Sequence, residues 1–179
     1  MNNRMSSLKM AKLALMIAIS CVLVFLIRIQ FPPAPFLEYD PADIPIYITT
    51  FAFGPGAGLL VTVVVSLIQA FLLGGSGVYG FIMHVCATGL FVVIAGLLYR
   101  HKKSKKEAVI ALIAGVLATT AAMCVLNYFI TPAFMGAPRE VVVAMLIPVI
   151  IPFNLMKAGI NAVITFLVYK RISGFLHRM

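Results

Sequence analysis

The sequence predicts an all-α integral membrane protein of six transmembrane helices, with both termini on the cytoplasmic side. Three observations carry that prediction. Of 179 residues, 63% are apolar and only 11% charged, and the mean hydropathy is +1.09; a soluble domain of this size needs more polar residues to cover its surface. The apolar residues come in long runs rather than in periodic stripes, as a bilayer requires. The basic residues cluster in short segments that flank those runs, where they act as topology signals and anionic-lipid contacts. The same clustering excludes nucleic acid as a partner, because no basic face is interleaved with aromatic residues.

Each span follows from counting runs against the ~20 residues a bilayer needs. The first covers Leu8 to Ile29 and, lacking a small-residue cleavage site, reads as a retained helix rather than a signal peptide. The segment FPPAPFLEYDPADIP follows, with five prolines and three acids; it reads as irregular and cannot face lipid. A short second span runs from Ile44 to Phe53 and stops at Gly54-Pro55-Gly56. Its length implies a helix that begins inside the preceding segment or is partly shielded. The third span ends at Leu73, before Gly74-Gly75-Ser76-Gly77. The fourth covers Val78 to Tyr99 and precedes the most basic connection, RHKKSKKE. The fifth runs from Ala108 to Ile130, and a second irregular stretch, TPAFMGAPRE, comes next. The last apolar run contains Pro148 and Pro152, and proline is best tolerated in a helix's first turn. The final span is therefore placed at Pro152 to Lys170, roughly 28 Å long, with Val141 to Ile151 as a short helix or loop outside it. The expected organisation is a single transmembrane domain over residues 1–179, with no soluble domain, linker or internal repeat.

Charge fixes the expected orientation. With the N-terminus inside, the inner segments carry Arg4, Lys9, Lys12, Arg100, Lys102, Lys103, Lys105, Lys106, Lys170, Arg171 and Arg178. The outer segments carry only Arg28 and Arg139, with Glu38, Asp40, Asp43 and Glu140. That asymmetry obeys the positive-inside rule.

Polar groups are costly in hydrocarbon, so their positions carry information. Asn154, Lys157 and Asn161 stand three and four apart and share one face of the final helix. They form either the wall of an outward-opening pocket, or a snorkelling lysine with asparagines that pack between helices. Asn127, beside Tyr128 near the outer end of the fifth span, offers both donor and acceptor to a heterocycle; an interhelical bond is the alternative. In the proline-rich segment Leu37, Tyr39 and Asp40 are candidates for a lid over a ligand, against a solvated loop. On the first helix Ala14 and Ala18 present small residues at the spacing that lets another helix approach closely.

Several chemistries are missing. No P-loop is present, so ATP would have to be bound by another chain. There is no nucleophile elbow or paired carboxylate for catalysis. His84, set among apolar neighbours, reads as a packed core histidine. No acid is expected deep in a span, which argues against a proton-coupled exporter. DxxD at Asp40 and Asp43 lacks the graded ligand spacing of a calcium loop. Cys21, Cys86 and Cys124 have no metal-binding or redox spacing and read as buried, inert thiols. No metal or cofactor is expected.

Over essentially its whole length the chain resembles the S components of energy-coupling factor (ECF) vitamin transporters, and specifically the riboflavin-binding type. The matching motifs are APFLEYDPADIP, NYFITPAFMG and IPFNLMKAGIN, with Ala14-x-x-x-Ala18 as the small-residue motif of the first helix. The resemblance implies an S-component-like bundle in the cell membrane that captures riboflavin from outside. It implies ligand contacts from Leu37, Tyr39 and Asp40 in the lid, Asn127 in the fifth helix, and Asn154 and Lys157 in the sixth. It also implies that Ala14 and Ala18 pack against a transmembrane coupling subunit, with two cytosolic ATPases completing the transporter. Open alternatives are an S component for another vitamin such as thiamine, a small membrane enzyme using His84 and Lys157, or a lone facilitator.

Overall fold

The computed structural model describes residues 7–177, which leaves the expected inner charges Arg4 and Arg178 outside the described residues. Helix α1 (Ser7–Leu26) is followed by two strands, β1 (Ile29–Phe31) and β2 (Ala34–Tyr39). Then come α2 (Asp43–Phe53), α3 (Pro55–Leu72), α4 (Gly77–His101), α5 (Lys105–Met135), α6 (Arg139–Met145), a π-helical turn at Leu146–Ile150, and α7 (Ile151–His177).

Among the described residues, five helical segments are long and apolar enough to cross a membrane: α1, α3, α4, α5 and the continuous stretch from α6 into α7. Their outward faces carry large apolar side chains, with Phe25 75% and Leu72 76% exposed. Water would penalise such a surface, and lipid does not. The expected second span is α2, whose 11 residues reach only about 16 Å. All residues from Asp43 to Ala52 are buried, so α2 is a core helix surrounded by the others, as apolar residues on every side require. It begins inside the preceding segment, one of the two readings its length allowed.

Glycines set how closely α3, α4 and α5 pack. A Cβ at Gly58 would collide with the Thr50 hydroxyl and stand 2.7 Å from Val92 Cγ1. Gly58→Leu is therefore expected to lower the melting temperature in detergent by about 5–10 °C. Gly56→Ala, where nothing lies within 4 Å, should shift it by no more than about 2 °C; equal shifts would contradict this packing.

Three elements differ from expectation. The proline-rich segment is not irregular: β1 and β2 pair antiparallel, with Ile29 opposite Tyr39 and Gln30 opposite Glu38, and Pro32 and Pro33 lie between Phe31 and Ala34 at the tip. Prolines suit that position because no ladder N–H is needed there. The hairpin has its own apolar core of Ala34, Leu37, Val142, Ile150 and Phe153, with the Phe31 and Phe153 rings 5.2 Å apart. Second, α5 continues through Pro132 to Met135 and ends at Gly136, φ 61°. The proline deletes one backbone bond, and the Thr131 hydroxyl beside it donates to Asn127 Oδ1 at 2.8 Å. Third, the cysteines are free but not all buried: Cys86 is exposed on α4, and Cys21 and Cys124 are half-buried. A thiol is apolar enough to face lipid as readily as a core. The stretch before the last span is helical (α6), and α7 begins one residue before Pro152.

Candidate ligand-binding site

The hairpin, the N-terminal end of α2 and the hairpin-side parts of α3, α4, α5 and α7 enclose a cavity of about 170 Å³. Its floor is Tyr47, stacked on Phe91 with ring centroids 3.6 Å apart and planes 10° from parallel. Phe91 reaches that position because Gly115 on α5 has no side chain; a Cβ there would lie 2.7 Å from the ring. Phe36, Tyr79, Met83, Met123, Phe134 and Phe153 supply apolar wall. This combination of aromatic wall and a few polar groups suits a flat heterocycle.

Polar chemistry converges where the hairpin meets α7. Lys157 Nζ donates to Asp40 Oδ2 at 2.7 Å and to the Glu38 carbonyl at 3.0 Å. Asn161 Nδ2 donates to the Asp40 carbonyl at 3.1 Å, and the Tyr39 hydroxyl donates to Asn161 Oδ1 at 3.2 Å. One face of α7 thus ties down the end of β2 by four bonds. Burial, together with the Asp40 carboxylate beside it, raises the Tyr39 phenol above its usual pKa. Asp40 also bonds the backbone N–H of Ala42, which fixes the turn into α2. At the same open end of the hairpin, Arg28, just before β1, lies 3.4 Å from the Glu38 carboxylate and donates to the Leu73 carbonyl at 2.7 Å, linking the hairpin to the end of α3.

Five of the six expected contact residues line the cavity: Leu37, Asp40, Asn127, Asn154 and Lys157. Tyr39 does not; it faces Asn161. Lys157 lines the cavity and at the same time holds the hairpin. Asn127 and Asn154 each donate one N–H to the carbonyl four residues back, at 2.7 and 2.8 Å. Each amide has further polar capacity, and among the described residues Asn154 Oδ1 has no partner. Ala14 and Ala18 are exposed, on the opposite side of α1 from the buried Leu13, Met16 and Ser20.

The expectation about His84 is overturned. Asp40 and Asp43 are buried, 2% and 4% exposed, although neither lies deep in a span, since Asp40 precedes α2 and Asp43 is its first residue. His84 is not alone among apolar groups: its Nε2 lies 2.9 Å from Asp43 Oδ1 and its Nδ1 2.7 Å from Ser66 Oγ. Thr88 donates to the same Asp43 oxygen at 3.0 Å. Asp43 sits in the first turn of α2, where the helix dipole favours a carboxylate. Gln69 was also missed. Its Nε2 lies 3.4 Å from Asp40 Oδ2, and among the described residues its buried Oε1 has no partner, an open acceptor on a residue that lines the cavity. The available signal was spacing: Ser66 and Gln69 on α3, and His84 and Thr88 on α4, stand three and four apart, so each pair shares a face of an apolar helix. Asp43→Leu is expected to lower the melting temperature by about 5 °C or more, because His84, Thr88 and Asn161, whose Nδ2 lies 3.5 Å from Asp43 Oδ2, lose their acceptor; an unchanged melt would make this network dispensable.

A family model for the substrate-specific component of ECF transporters matches residues 8–169. The chain belongs to that family. A solved structure described as the S component of a bacterial ECF transporter superposes with a TM-score of 0.80 at 30% identity, over 94% of this chain and 97% of that one. The chain is 29% identical to the riboflavin transporter RibU of Staphylococcus aureus, over 99% of its own length and 96% of the relative's. It is 27% identical to the riboflavin transporter FmnP of Bacillus subtilis, with 96% of each chain covered. The ECF membership implied by the sequence motifs therefore holds. As a substrate-specific component the chain is a multi-pass membrane protein and a transporter subunit, not an enzyme in itself.

Proposed function

We propose that this S component binds riboflavin in the cavity beneath the hairpin and delivers it through an ATP-driven ECF complex. The observation that carries the proposal is similarity along nearly the whole chain to proteins named riboflavin transporters. The geometry supports it. Riboflavin has a flat, largely apolar ring system with one imide edge and a polyhydroxyl tail. The aromatic wall suits the ring, while Asn127, Asn154 and the unpartnered Gln69 acceptor suit the imide and hydroxyl groups. Leu37 and Asp40 close the cavity from the hairpin, and Tyr39 acts indirectly by locking it to Asn161.

The chain works as one transmembrane unit of six spans, N-in and C-in, with α2 as the short, shielded member. The cavity then opens outward, and the basic α4–α5 connection lies in the cytoplasm. The exposed Ala14 and Ala18 face packs against the transmembrane coupling subunit, and two cytosolic ATPases complete the transporter. Reconstitution with those subunits tests this reading. ATP-dependent accumulation of labelled riboflavin, with labelled thiamine left outside, is the expected result. Uptake of thiamine instead would reassign the substrate, and riboflavin flux without ATP would favour a facilitator.

A further inference from the structure

A second cleft, of about 520 Å³, lies at the opposite end of the bundle from the hairpin. It is lined by Lys9 of α1, the Gly54–Ala57 junction between α2 and α3, and the end of α4 with Arg100 and Lys103. Among the described residues, no carboxylate lines it. The geometry follows from one close approach. A Cβ at Gly96 would stand 2.8 Å from Pro55 Cβ, so the missing side chain lets α4 press against the start of α3. Arg100, four residues on, shares that face of α4 and is carried to the same place. The first amides of α3 have no carbonyl to reach within their own helix and add partial positive charge, but the cations dominate.

Two features select the ligand. Several basic side chains around a space without acids call for an anion, and Arg with Lys suits phosphate oxygens. The cleft is also several times larger than a phosphate ion needs, and its wall runs to Leu60, which is 40% exposed on the lipid-facing side of α3. A cationic end joined to an apolar flank matches a headgroup with an attached acyl chain. We propose that this cleft binds the phosphate headgroup of an anionic membrane lipid, with Arg100 and Lys103 as its charge partners and the chain leaving along Leu60.

Native mass spectrometry of the full-length protein in detergent, titrated with phosphatidylglycerol or with phosphatidylcholine of the same chains, tests the proposal. One phosphatidylglycerol should be retained and phosphatidylcholine should not. Arg100→Gln with Lys103→Gln should weaken that retention about 30-fold, from roughly a fivefold effect for each basic residue near an anionic headgroup. Both side chains are exposed, so folding should survive, as an unchanged melt in lipid-free detergent would show. Lys105→Gln with Lys106→Gln removes the same charge outside the cleft and should change retention less than threefold. Equal losses in the two double variants, or equal retention of the two lipids, would overturn the proposal in favour of diffuse surface charge. Displacement of the lipid by millimolar inorganic phosphate would overturn it in favour of a free anion. Full lipid retention by the cleft variant, combined with lost assembly with the coupling subunit, would overturn it in favour of a protein-docking surface.

Discussion

Lys157→Ala should weaken riboflavin binding by about 3–5 kcal/mol, roughly 10²- to 10³-fold or more, the usual consequence of removing one member of a buried ion pair. The side chain does two jobs at once. It lines the cavity, and it holds the hairpin through Asp40 and the Glu38 carbonyl. Removing it leaves the Asp40 carboxylate, only 2% exposed, without its cationic partner in a low-dielectric setting. Isothermal titration in detergent measures the loss. Asp40→Asn separates the two roles, because it removes the charge partner but not the lysine. If holding the lid is the larger role, that variant should lose most of the same affinity. If direct contact with the ligand is the larger role, it should lose about tenfold or less. Unchanged affinity in Lys157→Ala would remove the residue from the site altogether.

Ala14→Trp should abolish riboflavin uptake while leaving binding within about twofold. Ala14 and Ala18 stand four apart on α1 and are exposed, whereas the helix packs against the bundle through Leu13, Met16, Ser20 and Val24. An indole on the outer face therefore has room in the isolated subunit and should not perturb the cavity. It should block the close helix approach that small residues permit. Uptake in reconstituted vesicles and binding in detergent are measured on the same variant. Normal uptake would show that this face does not carry the coupling contact, and a parallel loss of binding would show that the substitution damages the fold.

The helices were legible because the bilayer imposes a length and an apolar content that a sequence displays directly. The ends of α3 and α4 fall within a residue or two of the glycine turn and the basic connection that mark them. The hairpin was not legible. Its prolines read as irregular backbone, yet Pro32 and Pro33 sit at the tip, where a missing N–H costs nothing. Pro132 misled in the same way, since α5 tolerates one lost backbone bond and runs on to Met135. In the site, the polar face of α7 was visible as Asn154, Lys157 and Asn161 at helical spacing. Its partners were not: Lys157 meets Asp40 across 117 residues and His84 meets Asp43 across 41. Pairing at that separation depends on how α2 is buried among the other helices, which no local pattern records. His84 therefore looked isolated when it belongs to a network.

The most direct test of the central claim is an absorption spectrum of the detergent-purified protein, taken after riboflavin is added and unbound ligand removed. Flavin bands at close to one equivalent per chain are predicted, and they should vanish in Lys157→Ala. A folded, colourless protein that retains no added riboflavin would contradict the assignment of the cavity to that vitamin.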